Sequence, residues 1–109
     1  MEVSSPFGSQ TRTRLLIALE LLGQSYAREL ARLLGASLSA VQKGLASLER
    51  DGLIAGRLMG RIRLFQINPR YFAAAQLREL LAKVMVVDRD LKARAAELRR
   101  RPRRTGKRL

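Results

Sequence analysis

The sequence predicts a mainly α-helical domain with one small β-hairpin. Apolar residues recur at steps of three and four in successive stretches. Short runs rich in β-branched, aromatic and other apolar residues flank Met59-Gly60, and Gly, Ser, Asn and Pro punctuate the segments between. A chain of 109 residues suits one domain whose core stands without staples. Lys and Arg number 22 against 9 Asp and Glu, a net charge of +13. A field of that sign favours polyanions, nucleic acid ahead of an anionic membrane surface.

The absence of Cys and His removes disulfides, thiolate nucleophiles, imidazole bases and soft-metal ligands together. No metal, no cofactor and no enzymatic activity are therefore expected. Asp88 and Asp90 are two apart on a helix, face different directions and read as solvated charge. The apolar runs Leu15–Leu19 and Val84–Val87 fall short of the roughly 20 residues a spanning helix needs. The start, Met-Glu-Val-Ser-Ser-Pro, has neither a basic nor an apolar leader region, so a cytoplasmic, nucleoid-associated protein without membrane contact is expected.

Residues 1–8, with Pro6 and Gly8, read as a mobile lead-in. From Ser9 to Leu22 the spacing of Leu15, Leu16, Leu19 and Leu22 predicts a first helix closed by Gly23. Ser25 offers a cap for a second helix, Tyr26 to Leu34, with Leu30, Ala31, Leu33 and Leu34 inward and Arg28, Glu29 and Arg32 outward. Gly35 then permits a sharp left-handed turn. In the third segment, Ser37–Asp51, Leu38, Val41, Leu45 and Leu48 share a face, Ser37 is the expected N-cap and Gly52 the stop. Ser39, Ala40, Gln42, Lys43, Ala46 and Ser47 would point outward, small and polar enough to enter a major groove and meet base edges. The same pattern fits an ordinary surface helix. Two short helices joined by a tight turn make a helix-turn-helix unit, which favours DNA reading by the second of them.

Leu53–Leu58 and Arg61–Ile67 read as the strands of the hairpin. Met59 suits a type I′ turn poorly, which points to a loop longer than two residues. Arg57, Arg61 and Arg63 would reach phosphates or a minor groove, or would simply keep an edge ribbon soluble. Asn68-Pro69 is a cap and first turn for a helix running unbroken to Arg101, braced by Glu79/Lys83, Asp88/Lys92, Asp90/Arg94 and Glu97/Arg101 pairs. Its residues Leu77, Leu80, Val84, Val87, Leu91 and Leu98 fit a heptad seam interrupted by Arg94. About 30 residues of helix, some 45 Å, outreach so small a core, and a homodimer across this seam is the expected cover. Folding of the helix back over its own domain is the alternative, suggested for its first half by Leu80, Leu81 and Val84. The end carries Arg99, Arg100, Arg101, Arg103, Arg104, Lys107 and Arg108, with residues 102–109 a disordered basic tail. Such a tail contacts polyanions without base specificity, or serves solubility.

These features in order, with Phe7-Gly8-Ser9, Thr11-Arg12, Arg14-Leu15-Leu16, Tyr26-Ala27-Arg28-Glu29-Leu30-Ala31, Leu34-Gly35, Val41-Gln42, Leu45, Leu48-Glu49, Gly52-Leu53-Ile54, Gly60-Arg61 and Asn68-Pro69, resemble a known family. It is the winged helix-turn-helix DNA-binding proteins of bacteria and archaea, nearest the ArsR-type group and a subgroup whose winged-helix domain often precedes a small nucleotidyltransferase. The resemblance spans residues 7 to about 83. It implies a winged helix-turn-helix domain at 9–68, a dimerisation helix at 69–101 and a regulator of transcription bound to double-stranded DNA. Recognition positions fall on Ser39, Ala40, Gln42 and Lys43, and wing positions on Arg57, Arg61 and Arg63. The chain lacks a Gly-Ser motif followed by paired aspartates, so catalysis does not carry over. It also lacks the Cys and His ligands of metal-sensing relatives, so heavy-metal sensing is not expected. Two other readings remain open: a non-specific architectural DNA-binding protein, and an interaction module for a separately encoded nucleotidyltransferase.

Overall fold

The computed structural model describes residues 9–87 and 89–100, the side chains of 84–87, 89, 90, 99 and 100 excepted. Helices α1 (Gln10–Leu22), α2 (Ala27–Leu34) and α3 (Leu38–Arg50) precede strands β1 (Ile54–Met59) and β2 (Ile62–Ile67), and helices α4 (Ala74–Val87) and α5 (Arg89–Arg100) follow. Helix α1 is the packing centre. It touches α2, α3, α4, α5 and β2, and its run Leu15, Leu16, Ile17, Ala18 and Leu19 is fully buried. Five consecutive residues buried all round make the middle of α1 a core helix rather than a surface one. Local signals set both its ends, the closing Gly23 as expected and the Ser9 cap in addition. Ser9 Oγ accepts from the Arg12 amide at 3.1 Å, and the Gly23 amide donates to the Leu19 carbonyl at 2.8 Å.

Helix α2 starts differently from expectation. Ser25 is not its cap. The Ser25 amide donates to the Phe65 carbonyl at 3.0 Å and the Phe65 amide returns a bond at 2.7 Å, so this residue is pinned to β2 and fully buried. Its hydroxyl donates to Glu29 Oε1 at 2.6 Å, which explains why Glu29, expected outward, is buried. A buried carboxylate is tolerated where donors satisfy it. At the other end Gly35 adopts φ +65°, and the Ala36 amide donates to the Ala31 carbonyl at 3.0 Å. Arg14 and Arg94 donate to the Leu34 and Leu33 carbonyls at 3.4 and 3.0 Å. Cations there oppose the negative end of the helix dipole.

Strands β1 and β2 pair antiparallel from Ile54↔Ile67 to Met59↔Ile62. The loop is thus two residues, Gly60-Arg61, not the longer one expected. Gly60 has φ +62° and, among the described residues, no non-glycine residue has positive φ, which excludes type I′ and removes the objection raised by Met59.

The C-terminal helical region begins at Ala74 rather than at Pro69. Asn68 caps a turn instead, its Oδ1 accepting from the Arg70 amide and its Nδ2 donating to the Gly52 carbonyl, both at 3.0 Å. Helix α4 packs on α1, and α5 packs on α1 and α2. The buried residues are Leu77, Leu81, Leu91 and Ala95, a face that shares Leu77 and Leu91 with the expected seam and takes Leu81 in place of Leu80. Leu77 and Leu91 of that seam lie in the chain's own core, Leu80 is exposed and Leu98 is half-buried. The side chains of Val84 and Val87 lie outside the described residues. Arg94, the apparent fault in the seam, instead reaches the end of α2. Among the described residues no helix is long and apolar enough to cross a membrane.

Candidate nucleic-acid interface

Helix α3 packs Val41, Gly44, Leu45 and Leu48 inward against α1 and α2. That burial fixes which residues face out. Ser39, Gln42 and Lys43 are exposed, with Ala40 and Ser47 half-buried. Ser37 Oγ accepts from the Ala40 amide at 3.1 Å, so Ser37 is the predicted N-cap. Ser47 turns toward α1, where its hydroxyl accepts from Arg12 Nη1, and Arg12 also pairs with Asp51 at 2.9 Å. These contacts brace the far end of α3, while Ser39, Gln42 and Lys43 stay exposed along its first half.

Between α3 and the hairpin runs a cleft of about 530 Å³ whose walls include Tyr26, Arg28, Gln42, Glu49, Arg61 and Arg63. The two-residue loop decides which arginines reach it. Arg63 pairs across strands with Leu58, on the face that carries buried Phe65 and Ile67, whereas Arg57 pairs with Leu64 on the opposite face. Arg63 Nη2 meets Glu49 Oε2 at 2.5 Å and its guanidinium lies 5.6 Å from the centre of the Phe65 ring. Arg57 donates instead to Gln24 Oε1 at 3.5 Å. Arg61 sits in the turn, exposed. The structure therefore brings Gln42, Arg61 and Arg63 to one cleft and leaves Arg57 outside it.

Arg28, Tyr26 and Glu49 had no role in the sequence reading of this surface, yet all line the cleft. Arg28, read there as an outward-facing cation of α2, was the available signal. Arg99 and Arg100 are helical, whereas Arg101, Arg103, Arg104, Lys107 and Arg108 lie outside the described residues. Among the described residues no group of three or more His, Cys, Asp or Glu is placed to hold a metal ion.

A helix-turn-helix followed by an antiparallel hairpin beside its second helix defines a winged helix-turn-helix fold. No protein-family model matches the chain, and no curated protein matches it. Solved structures do. A cysteine-to-serine mutant of ZitR from Lactococcus lactis superposes with a TM-score of 0.59 at 22% identity, covering 81% of this chain and 62% of its own. The adhesin competence repressor AdcR from Streptococcus pyogenes gives 0.59 at 22%, covering 83% and 72%. The ZitR mutant in complex with DNA gives 0.58 at 21%, covering 84% and 64%. ZitR is described as a zinc-responsive MarR family member. The chain thus spans less than two thirds of the length of these two ZitR chains, and the likeness concerns the fold.

Proposed function

We propose that this chain is a DNA-binding transcriptional regulator that lays the first half of α3 in the major groove and its hairpin on the adjoining backbone or minor groove. The observation that carries this is the shared cleft. Exposed Gln42 on α3 stands opposite Arg61 and Arg63 on the hairpin, in a chain of net charge +13. A duplex presents that surface with what it can bind: base edges in one groove and a ridge of phosphates beside it. The complex of ZitR with DNA shows that a protein of this fold binds such a ligand. Gln42 reads a base, and glutamine pairs bidentately with adenine. Lys43 reaches guanine or a phosphate, while Ser39 and Ala40 let the backbone approach. Arg57, outside the cleft, joins the phosphate contacts from the other face of the wing, and the basic end of the chain adds affinity without sequence. The ArsR-type pattern in the sequence and a cytoplasmic location accord with this reading. With no Cys or His, a zinc response like that of ZitR forms no part of it.

The test is fluorescence-anisotropy binding to the DNA upstream of the protein's own gene and to a scrambled duplex, at about 50 and 200 mM salt. A regulator binds the upstream DNA about a thousandfold tighter at the higher salt. Equal binding that falls away with salt on both duplexes overturns specificity and leaves an architectural protein. Gln42→Ala is expected to cost about 1–3 kcal/mol on the specific site alone, whereas Arg61→Ala weakens both duplexes alike and lowers the salt slope by about one. An unchanged ratio of specific to random binding in Gln42→Ala would remove Gln42 from the groove.

A homodimer completes the proposal. Phe72, just before α4, is 90% exposed and Leu80, midway along it, 42% exposed. A second copy covers them, and two-fold symmetry then sets half-sites about 34–36 Å apart on a near-palindromic operator. Leu80→Glu should convert the dimer to monomer in sedimentation velocity while leaving the thermal midpoint of the monomer unchanged. A dimer that persists places the interface elsewhere.

A further inference from the structure

The hairpin ends in large apolar side chains that remain exposed: Leu58 is 73% exposed, Met59 51% and Ile62, which also borders the cleft beside α3, 38%. The register fixes how they are arranged. Met59 and Ile62 oppose one another on the last rung before the turn and so share a face, whereas Leu58 opposes Arg63 on the other face. A ribbon meant to lie flat on a protein surface is apolar on one side. A tip apolar on both sides suits insertion, where walls touch it from both directions. Its charge narrows the choice of walls. Arg57, Arg61 and Arg63 are exposed on this hairpin, and no acidic residue occurs between Ile54 and Ile67. Gly60 makes the turn at φ +62° without a Cβ, which keeps the tip thin. The minor groove is only about 6 Å wide. Stacked base planes edged by phosphates offer an apolar gap inside an anionic frame, and apolar side chains wedged into that gap unstack and kink a duplex.

We propose that the hairpin tip is a minor-groove wedge: Met59 and Ile62 enter one base step and bend the duplex, while Arg57 and Arg61 hold the flanking phosphates. This rests on the DNA-binding reading above and gives it a sequence preference that no base contact supplies. Pyrimidine–purine steps unstack easily and A-tracts resist, so the wing selects TA-containing DNA.

The experiment uses the full chain and two duplexes of equal length and A·T content, one alternating TA and one built of A-tracts. Each carries a donor and an acceptor dye at its ends. The wild-type protein is expected to bind the alternating duplex about tenfold tighter and to raise energy transfer between its ends. The double variant Met59→Ser/Ile62→Ser, its fold checked by circular dichroism, should bind both duplexes alike and leave transfer unchanged. Bending by the variant equal to that of the wild type overturns the wedge, as does wild-type binding without any bend. Failure of the wild type to bind either duplex or the upstream DNA removes the DNA-binding reading and the wedge together, whereas tight binding to DNA that stays straight, or binding of the upstream DNA with no preference between the two duplexes, removes the wedge alone. Binding of phosphatidylserine vesicles that the double substitution abolishes, with DNA binding and bending unaltered, would assign the tip to a membrane surface instead.

Discussion

Gly44→Val is expected to be among the most damaging single substitutions in this protein, lowering its thermal midpoint by more than about 10 °C. A Cβ at position 44 would stand 2.6 Å from Leu15 Cδ1 and 3.4 Å from Thr11 Cγ2. Leu15 is fully buried in the middle of α1, so its methyl has no solvent to retreat into. Forcing one methyl into a packed core costs about 1–3 kcal/mol, and valine adds two more carbons with a stiff χ1. Alanine is the informative control, because it regains about 1 kcal/mol of helix propensity lost to glycine. Gly44→Ala should therefore fall only a few degrees. The helix crossing also matters to the interface, since the close approach of α3 to α1 sets the angle at which Gln42 and Lys43 leave the surface. Thermal unfolding followed by circular dichroism decides the matter. A valine variant as stable as the wild type would mean that α1 and α3 separate at no cost.

What could be read in the sequence and what could not divide along the range of the interaction responsible. Gly23, Gly35 and Ser37 do what their positions predict because capping is settled within about one helical turn. The exposed set on α3 follows from its own period in the same way. Glu29 defeats that logic because its burial depends on Ser25, and Ser25 is held by Phe65 from far along the chain. In the last helical region Leu77 and Leu91 of the expected seam are taken into the chain's own core while Leu80 stays outside, for a different reason. Adjacent Leu80 and Leu81 satisfy either of two phases, and the phase realised includes Ala95, whose small side chain adds little to an apolar pattern yet lets α5 approach closely. In the interface the arginines were visible but not their grouping. A single residue more or less in the loop exchanges the faces of alternate residues on one strand, so only the Met59↔Ile62 register separates Arg63 from Arg57.

Leu91→Ala separates the two roles that a helix after Asn68 can have. Leu91 is fully buried, and α5 packs against α1 and α2 of the same chain. Truncating a leucine in such a site leaves a cavity and costs about 2–5 kcal/mol. Because the cavity lies inside one chain, the loss should be the same at high and low protein concentration. Had Leu91 been a seam residue between two copies, the substitution would weaken association, and the loss would change with dilution by mass action, by about 1.4 kcal/mol for each tenfold step in dimer affinity. Urea unfolding of the variant and the wild type, each at concentrations spanning two tenfold dilutions, reads this directly. A constant difference keeps Leu91 in the core. A difference that shrinks or grows with concentration would return it to the seam. The comparison with Leu80→Glu then closes the argument, since that exposed position, within the same stretch after Asn68, should alter assembly and leave the fold's own stability alone. Together the two variants show whether this region holds the domain together from within by one face while pairing with a second copy by another.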